Sequence, residues 1–311
     1  MKMNKTKLQR SITNDFIAYL KQKQFSQRSL ETSQRIINSS YLRWVAKENL
    51  EPESVTYQDL LEFMKHGRTT GKSPRTIQHY LNTIRHYYDH LVREQAITTN
   101  PVHGLEVKGI KQKTLYPILT AHELHNLYHQ YPNDTYRDKR NKTMLGLLVY
   151  QGLRTEELAR MTTKAVQLRE GKIEVIGSRK NNGRLMPLES HQVMDMYDYV
   201  LQVRPEILNM APKRKTQAKI ETDQLFIGEG GNCYSLSNMM TRLMIKVRKI
   251  NPSVQNAQQL RASVITKWVK QYNLRKAQHL AGHRYISSTE NYLQNDIEGL
   301  QEELNRYHPL N

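Results

Sequence analysis

One cysteine, Cys233, stands in 311 residues. A single thiol excludes an internal disulfide and any cysteine-based zinc finger. No run of 18 apolar residues occurs, so no stretch has the length and character of a membrane-spanning helix. The opening MKMNKTKLQRSI carries no apolar segment of the signal-peptide kind. Phenylalanine and tryptophan are scarce, at 4 and 2, while tyrosine reaches 18. Acidic residues are also short, with 29 against 47 basic ones and a net charge of +18. Residues 1–107 carry 16 basic and 10 acidic side chains, and the rest of the chain carries 31 and 19. The excess is therefore spread through the chain and does not form a tail. A chain so charged repels itself, and a polyanion is the partner that relieves it. Double-stranded DNA comes first, and attachment to an anionic membrane would instead concentrate charge on one amphipathic helix. A cytoplasmic, nucleoid-associated location follows as the expectation.

The length suits two domains. Residues 8–95 show apolar side chains at spacings of three and four, as helices require. Ser26, Thr56 and Ser73 mark helix starts, the last followed by Pro74 at the favoured first position. Asn100-Pro101 and Gly104 then break the pattern. The basic stretch 107–120 lacks a helical period and reads as an extended linker. Thr120 opens another helix. A short β section follows, with Val166, Leu168, Ile173, Val175 and Leu185 alternating around Gly171 and an N-N-G turn at 181–183. DQLFIG suggests a further short strand, and helices dominate from Ser235 to about Arg306. The predicted fold is mainly α with a small antiparallel β-sheet. Its domains are a helical unit at 1–107, a basic linker at 108–118 and a mixed unit at 119–311.

Four local patterns could carry chemistry. In QGLRTEELARM, Gly152 ends one helix, Thr155 can cap the next, and Arg154 lies where backbone N–H groups point outward. Such an arginine fits a phosphate, or pairs with Glu156 or Glu157. In GSRKNNGR, Arg179, Lys180 and Arg184 surround a tight turn, either solvated or laid on DNA. Gln258 and Arg261 share one face of the helix NAQQLRASVITKWVK, as an oxyanion site or a surface pair. In AGHRYISSTENYL, Gly282 suits a left-handed helix end, and Ser287 with Glu290 matches a capping box that starts the next helix. That corner brings His283 and Tyr292 near each other, either as a reactive pair or as ordinary packing.

Taken in order, these patterns resemble the tyrosine recombinase (phage integrase) family, of the compact Xer-like kind. QGLRTEEL is similar to the family's TGLRxxEL. GSRKNNGRLMPL is similar to its GKGxKxRxVPL hairpin, with one extra residue. QQLRA stands where HxLRH is usual, and AGH is followed nine residues later by Tyr292. The resemblance covers about 118–295, and residues 8–107 are similar to the family's helical, SAM-like core-binding domain.

The resemblance implies an α+β catalytic domain that cuts and rejoins DNA at a specific core site without metal, ATP or any other cofactor. Tyr292 would attack the scissile phosphate to give a 3′-phosphotyrosine and free a 5′-hydroxyl. Arg154 and Arg261 would hold the non-bridging oxygens, and His283 would support the phosphate or the proton transfer. Lys180 is expected to protonate the leaving oxygen. Gln258 replaces a histidine and can donate a hydrogen bond but cannot shuttle a proton. DNA contacts are expected from Arg75, Lys108, Lys111, Lys113, Arg179 and Arg184. The family acts as a homotetramer on two synapsed duplexes, and residues 296–307 have the spacing for a C-terminal tail helix that docks on a neighbour or on its own domain. Integration or excision of a mobile element, inversion and dimer resolution all fit. An inactive DNA-binding relative is the alternative that Gln258 raises, and a type IB topoisomerase is a third.

Overall fold

The computed structural model describes residues 13–110, 116–179, 181–210, 222–229 and 236–293. The chain divides into two compact units, Met1–Thr114 and Leu115–Asn311.

The first unit is helical. Its elements are α1 (residues 13–22), α2 (Gln27–Ile36), α3 (Leu42–Lys47), α4 (Tyr57–Thr69) and α5 (Pro74–Arg93). A single π-helical turn, Ile37–Tyr41, joins α2 to α3. The starts lie where local chemistry puts them. The Ser26 and Ser73 side chains accept the Ser29 and Thr76 N–H groups, and Thr56 forms a reciprocal box with Asp59. The core is aromatic. Phe16, Tyr41, Trp44, Phe63, Tyr87 and Tyr88 are buried, and the Tyr41 and Phe63 rings meet edge to face at 5.5 Å. The Tyr41 and Tyr88 hydroxyls bond each other, and Tyr88 donates to the Pro52 carbonyl at 2.9 Å. Asn100 closes the unit, donating to the Arg85 carbonyl and Asp89 while accepting the Val102 N–H. A cleft of about 250 Å³ between α3, α4 and α5 is lined by Ser39, Arg43, Lys47, His66, Lys72 and Tyr80.

The second unit contains α6 (Ala121–His129), α7 (Tyr136–Val149), α8 (Thr155–Arg160), β1 (Val166–Gln167), β2 (Lys172–Val175) and β3 (Arg184–Pro187). It continues with α9 (Ser190–Asp198), α10 (Arg204–Met210), α11 (Leu236–Ile250), α12 (Ala257–Gln271), α13 (Leu274–Ala281) and α14 (Ser287–Glu290). Among the described residues the strands form one antiparallel sheet in the order β1-β2-β3, with Ile173 opposite Met186 and Val175 opposite Arg184. A Leu- and Met-rich core surrounds α7 and α12; Leu147, Leu148, Leu243, Leu260 and Ile265 are fully buried. Thr120 caps α6 with Glu123 in return.

Several expectations need correction. Strand β3 turns Arg184 and Met186 inward and leaves Leu185 about half exposed, one residue out of the expected register. The hairpin turns at Ser178 and Asn181, whose backbones pair, and not at 181–183. DQLFIG forms a bridge from Gln224 to Thr162 and buries Leu225, Phe226 and Ile227, without a strand. Arg154, not Thr155, holds the cap position of α8. Ile286 holds that position for α14, in helical backbone and with no side-chain cap, so Ser287 and Glu290 lie inside the single turn.

Candidate active site

Two left-handed glycines aim the site. Gly152, at φ 56°, turns the chain from α7 into α8 and leaves Arg154 at the mouth of the new helix. Gly282, at φ 64°, ends α13 and sets His283 immediately after it. A Cβ at Gly282 would collide with the Arg184 guanidinium, so this corner requires glycine for space as well as for conformation.

The centre of the site is a carboxylate, Glu157, at the third position of α8 and only 6% exposed. Arg184 grips it with two N–H groups at 2.9 and 3.1 Å, and Asn181 Nδ2 donates at 2.6 Å. The Arg154 backbone N–H donates at 2.8 Å, while the Arg154 and Arg261 guanidinium groups lie at 3.7 and 4.0 Å. Burial alone would raise the Glu157 carboxyl. The Arg184 hydrogen bonds and charge, the Arg154 N–H and the Arg261 charge outweigh burial and hold it below the usual range.

Arg261 projects from α12. It donates to the Gly152 carbonyl, to the Ala281 carbonyl at 2.7 Å and towards His283 Nε2 at 3.3 Å. Burial and then the Arg154 charge push its guanidinium down to about 10, still charged at neutral pH. His283 is 4% exposed and pushed down to about 3, first by burial and then by Arg261, Arg154 and Arg184. It is neutral, and its tautomer follows from its partners. A guanidinium only donates, so Nε2 must accept, and Nδ1–H must donate to Thr289 Oγ1 at 2.9 Å. Tyr292 lies in the turn after α14, half-buried, its ring parallel to His283 within 17° and 5.9 Å away. A phenolate there would support the Arg261 charge.

The cluster therefore holds three guanidinium groups, one carboxylate and a neutral imidazole. All three guanidinium groups share the one carboxylate, so the cluster keeps an excess of positive charge, and the Arg154 side chain is 32% exposed at its rim. Such a pocket suits an anion with several oxygens, a phosphodiester in particular.

Of the residues singled out by sequence, Arg154, Arg261, His283 and Tyr292 come together. Gln258 lies one turn before Arg261 on the exposed edge of α12 and accepts the Tyr116 hydroxyl at 2.9 Å. Lys180, Lys111 and Lys113, like the segment 296–307, lie outside the described residues. Arg75 and Lys108 are exposed on the first unit, and Arg179 is exposed on the hairpin, where its carbonyl accepts from Arg284. Arg184 departs from expectation. Its side chain is fully buried on Glu157, so it orders the site and offers nothing to a DNA surface. Sequence reasoning named Glu157 only as a salt-bridge option and missed Asn181, Thr289 and Tyr116. Among the described residues, no group of three or more His, Cys, Asp or Glu is placed to hold a metal ion, and no helix is long and apolar enough to cross a membrane.

Comparison with known proteins identifies the family. Residues 117–298 match the phage integrase family, and residues 13–95 match the phage integrase N-terminal SAM-like domain. The chain belongs to the phage integrase family. By class it is a tyrosine-type site-specific recombinase. Tyrosine recombinase XerD of Listeria innocua is 24% identical over 263 residues, spanning 83% of this chain and 84% of that protein. Tyrosine recombinase XerC of Natranaerobius thermophilus is 27% identical over 259 residues, spanning 83% and 84%. The fold is shared with a lambda integrase dimer bound to a core site (TM-score 0.65, 17% identity, 91% of this chain and 76% of that one). It is shared also with the Tn1549 transposon integrase in complex with circular intermediate DNA (TM-score 0.62, 17% identity, 90% and 94%).

Proposed function

We propose that this integrase cuts and rejoins double-stranded DNA through a covalent link to Tyr292. The Tyr292 oxygen attacks the scissile phosphorus, the bond to the 5′-oxygen breaks, and a 3′-phosphotyrosine forms. The 5′-oxygen leaves as a hydroxyl with a proton from Lys180. A 5′-hydroxyl from the partner strand then reverses the step, and the phosphodiester energy is conserved throughout. The observation that carries this reading is the uncompensated positive charge beside Tyr292. Arg154 and Arg261 meet the negative charge that grows on the non-bridging oxygens, and both are positioned before DNA arrives. When a phosphate draws the Arg261 N–H onto its own oxygens, the Nε2 lone pair of neutral His283 is released to accept the phenol proton. A bound phosphate would offset the arginine charges that, after burial, hold His283 neutral.

The first unit contacts the duplex in this reading, with Arg43, Lys47 and Lys72 around its cleft supplying phosphate contacts. Arg75, Lys108, Lys111, Lys113 and Arg179 add to the grip, so affinity falls steeply with salt. Two duplexes are held by a tetramer. The relatives bound to a core site and to circular intermediate DNA favour a specific site, and integration or excision among the outcomes.

The test is capture of covalent protein–DNA adducts from fragmented source DNA after denaturation. Adducts are expected with the wild type and none with Tyr292→Phe, which keeps its DNA affinity. Sequencing the adducts reads out the target site. Binding without adducts in the wild type would overturn cutting in favour of a purely architectural role.

A further inference from the structure

Position 258 departs from the family pattern, and the structure shows what stands beside it. Gln258 Oε1 accepts the Tyr116 hydroxyl at 2.9 Å. Tyr116 is not loosely placed. The next residue, Pro117, gives its carbonyl to Gln259 Nε2 at 2.9 Å, and the Leu119 N–H donates to Ser263 Oγ at 2.9 Å. Gln259 and Ser263 are themselves buried, and Gln259 Oε1 is taken by the Gln255 N–H. The strand of chain entering the second unit is thus stitched along the first turns of α12, the helix that also bears Arg261.

An amide side chain is nearly symmetric in shape but opposite in polarity at its two ends. Left alone, Gln258 turns over at little cost and presents oxygen as readily as nitrogen. With Oε1 accepting the Tyr116 hydroxyl, as it does here, the two N–H donors of Nε2 face away from the tyrosine. A donor can support a phosphoryl oxygen, whereas a carbonyl oxygen would repel it. We infer that Tyr116 is a positioning residue for phosphoryl transfer, locking Gln258 so that its amide N–H groups face the phosphate. The inference rests on the recombinase reading above. The pair thereby supplies by orientation a donor that a histidine would supply at that position by its ring N–H.

The test is single-turnover cleavage of a duplex bearing the captured site, nicked so that the released fragment diffuses away. Tyr116→Phe should slow cleavage roughly 3- to 10-fold, the size of one neutral hydrogen bond. Thermal stability should stay unchanged, as should DNA affinity measured in the Tyr292→Phe background. Gln258→Ala should be slower still, and Tyr116→Phe should add nothing to it. Gln258→Glu keeps the acceptor for Tyr116 but places oxygen at the phosphate, so it should fall below Gln258→Ala. Additive losses in the double variant, or a change in affinity or melting temperature alone, would overturn the role of Tyr116. A wild type that never cleaves would overturn the recombinase reading, and this inference with it, before any variant is compared.

Discussion

The two units solve the problem of burying polar groups in different ways. The first packs tyrosines, which bring large apolar rings and a single neutral hydroxyl each. Tyr41 passes its hydroxyl to Tyr88, and Tyr88 passes its own to a backbone carbonyl. Nothing in that chain is charged. The second unit buries Glu157 among Arg184, Arg261 and Arg154, with His283 kept neutral beside them. Buried ions are costly to desolvate, and hydrophobic residues would stabilise a core at least as well. The contrast separates an interior built to stand from one built to hold charge ready for a substrate.

The sharpest way to break this comparison is Glu157→Gln. Two guanidinium groups would lose their carboxylate in a dry interior, and about 3–5 kcal/mol of stability should go with it. Chemical denaturation reads the loss, and an effect below about 1 kcal/mol would mean that the ionic cluster is solvated.

Acid comes next. His283 takes up a proton at about 3 in the folded protein but near 6.5 when unfolded. Its contribution is therefore full above about pH 6.5 and is lost as pH falls towards 3, because the unfolded chain binds the proton first. Glu157, held low, adds a loss of the same sign further down. His86, His90, His129 and His191, also held low by burial, act in the same direction. His283→Asn should lose less stability than the wild type between pH 7.5 and 5, and equal losses would remove His283 from the account.

The smallest effects belong to the neutral core. Tyr88→Phe strands both the Tyr41 hydroxyl and the Pro52 carbonyl and should cost about 1–3 kcal/mol. Tyr41→Phe leaves the Tyr88–Pro52 bond in place and should cost less. The reverse order in denaturation midpoints would show that the hydroxyls do not form a chain.

What the sequence made legible was local. Ser26, Thr56, Ser73 and Thr120 cap helices because each needs only its own next three residues. Gly152 and Gly282 take left-handed backbone for reasons confined to one residue. Arg154, Arg261, His283 and Tyr292 were found because their spacing follows the family pattern. Arg184 was misplaced because a basic hairpin reads as surface, and only the β2–β3 register turns that residue inward. The Ser287 box failed because Ile286 is already helical, leaving no extended residue to cap from. Glu157 and Thr289 act across 27 and 6 residues, distances at which periodicity carries no signal.

The hairpin holds a further lesson about how such chains diverge. Its inner limb is tied to the second corner of the site. Asn181 pairs with His283, and the Asn182 N–H bonds the Gly282 carbonyl at 3.1 Å. An insertion there would drag the histidine out of place. The outer limb meets the same corner, where the Arg179 carbonyl accepts from Arg284 Nη1 at 2.9 Å. Both limbs therefore meet the residues just after α13, and a change in the length of either is felt at the histidine.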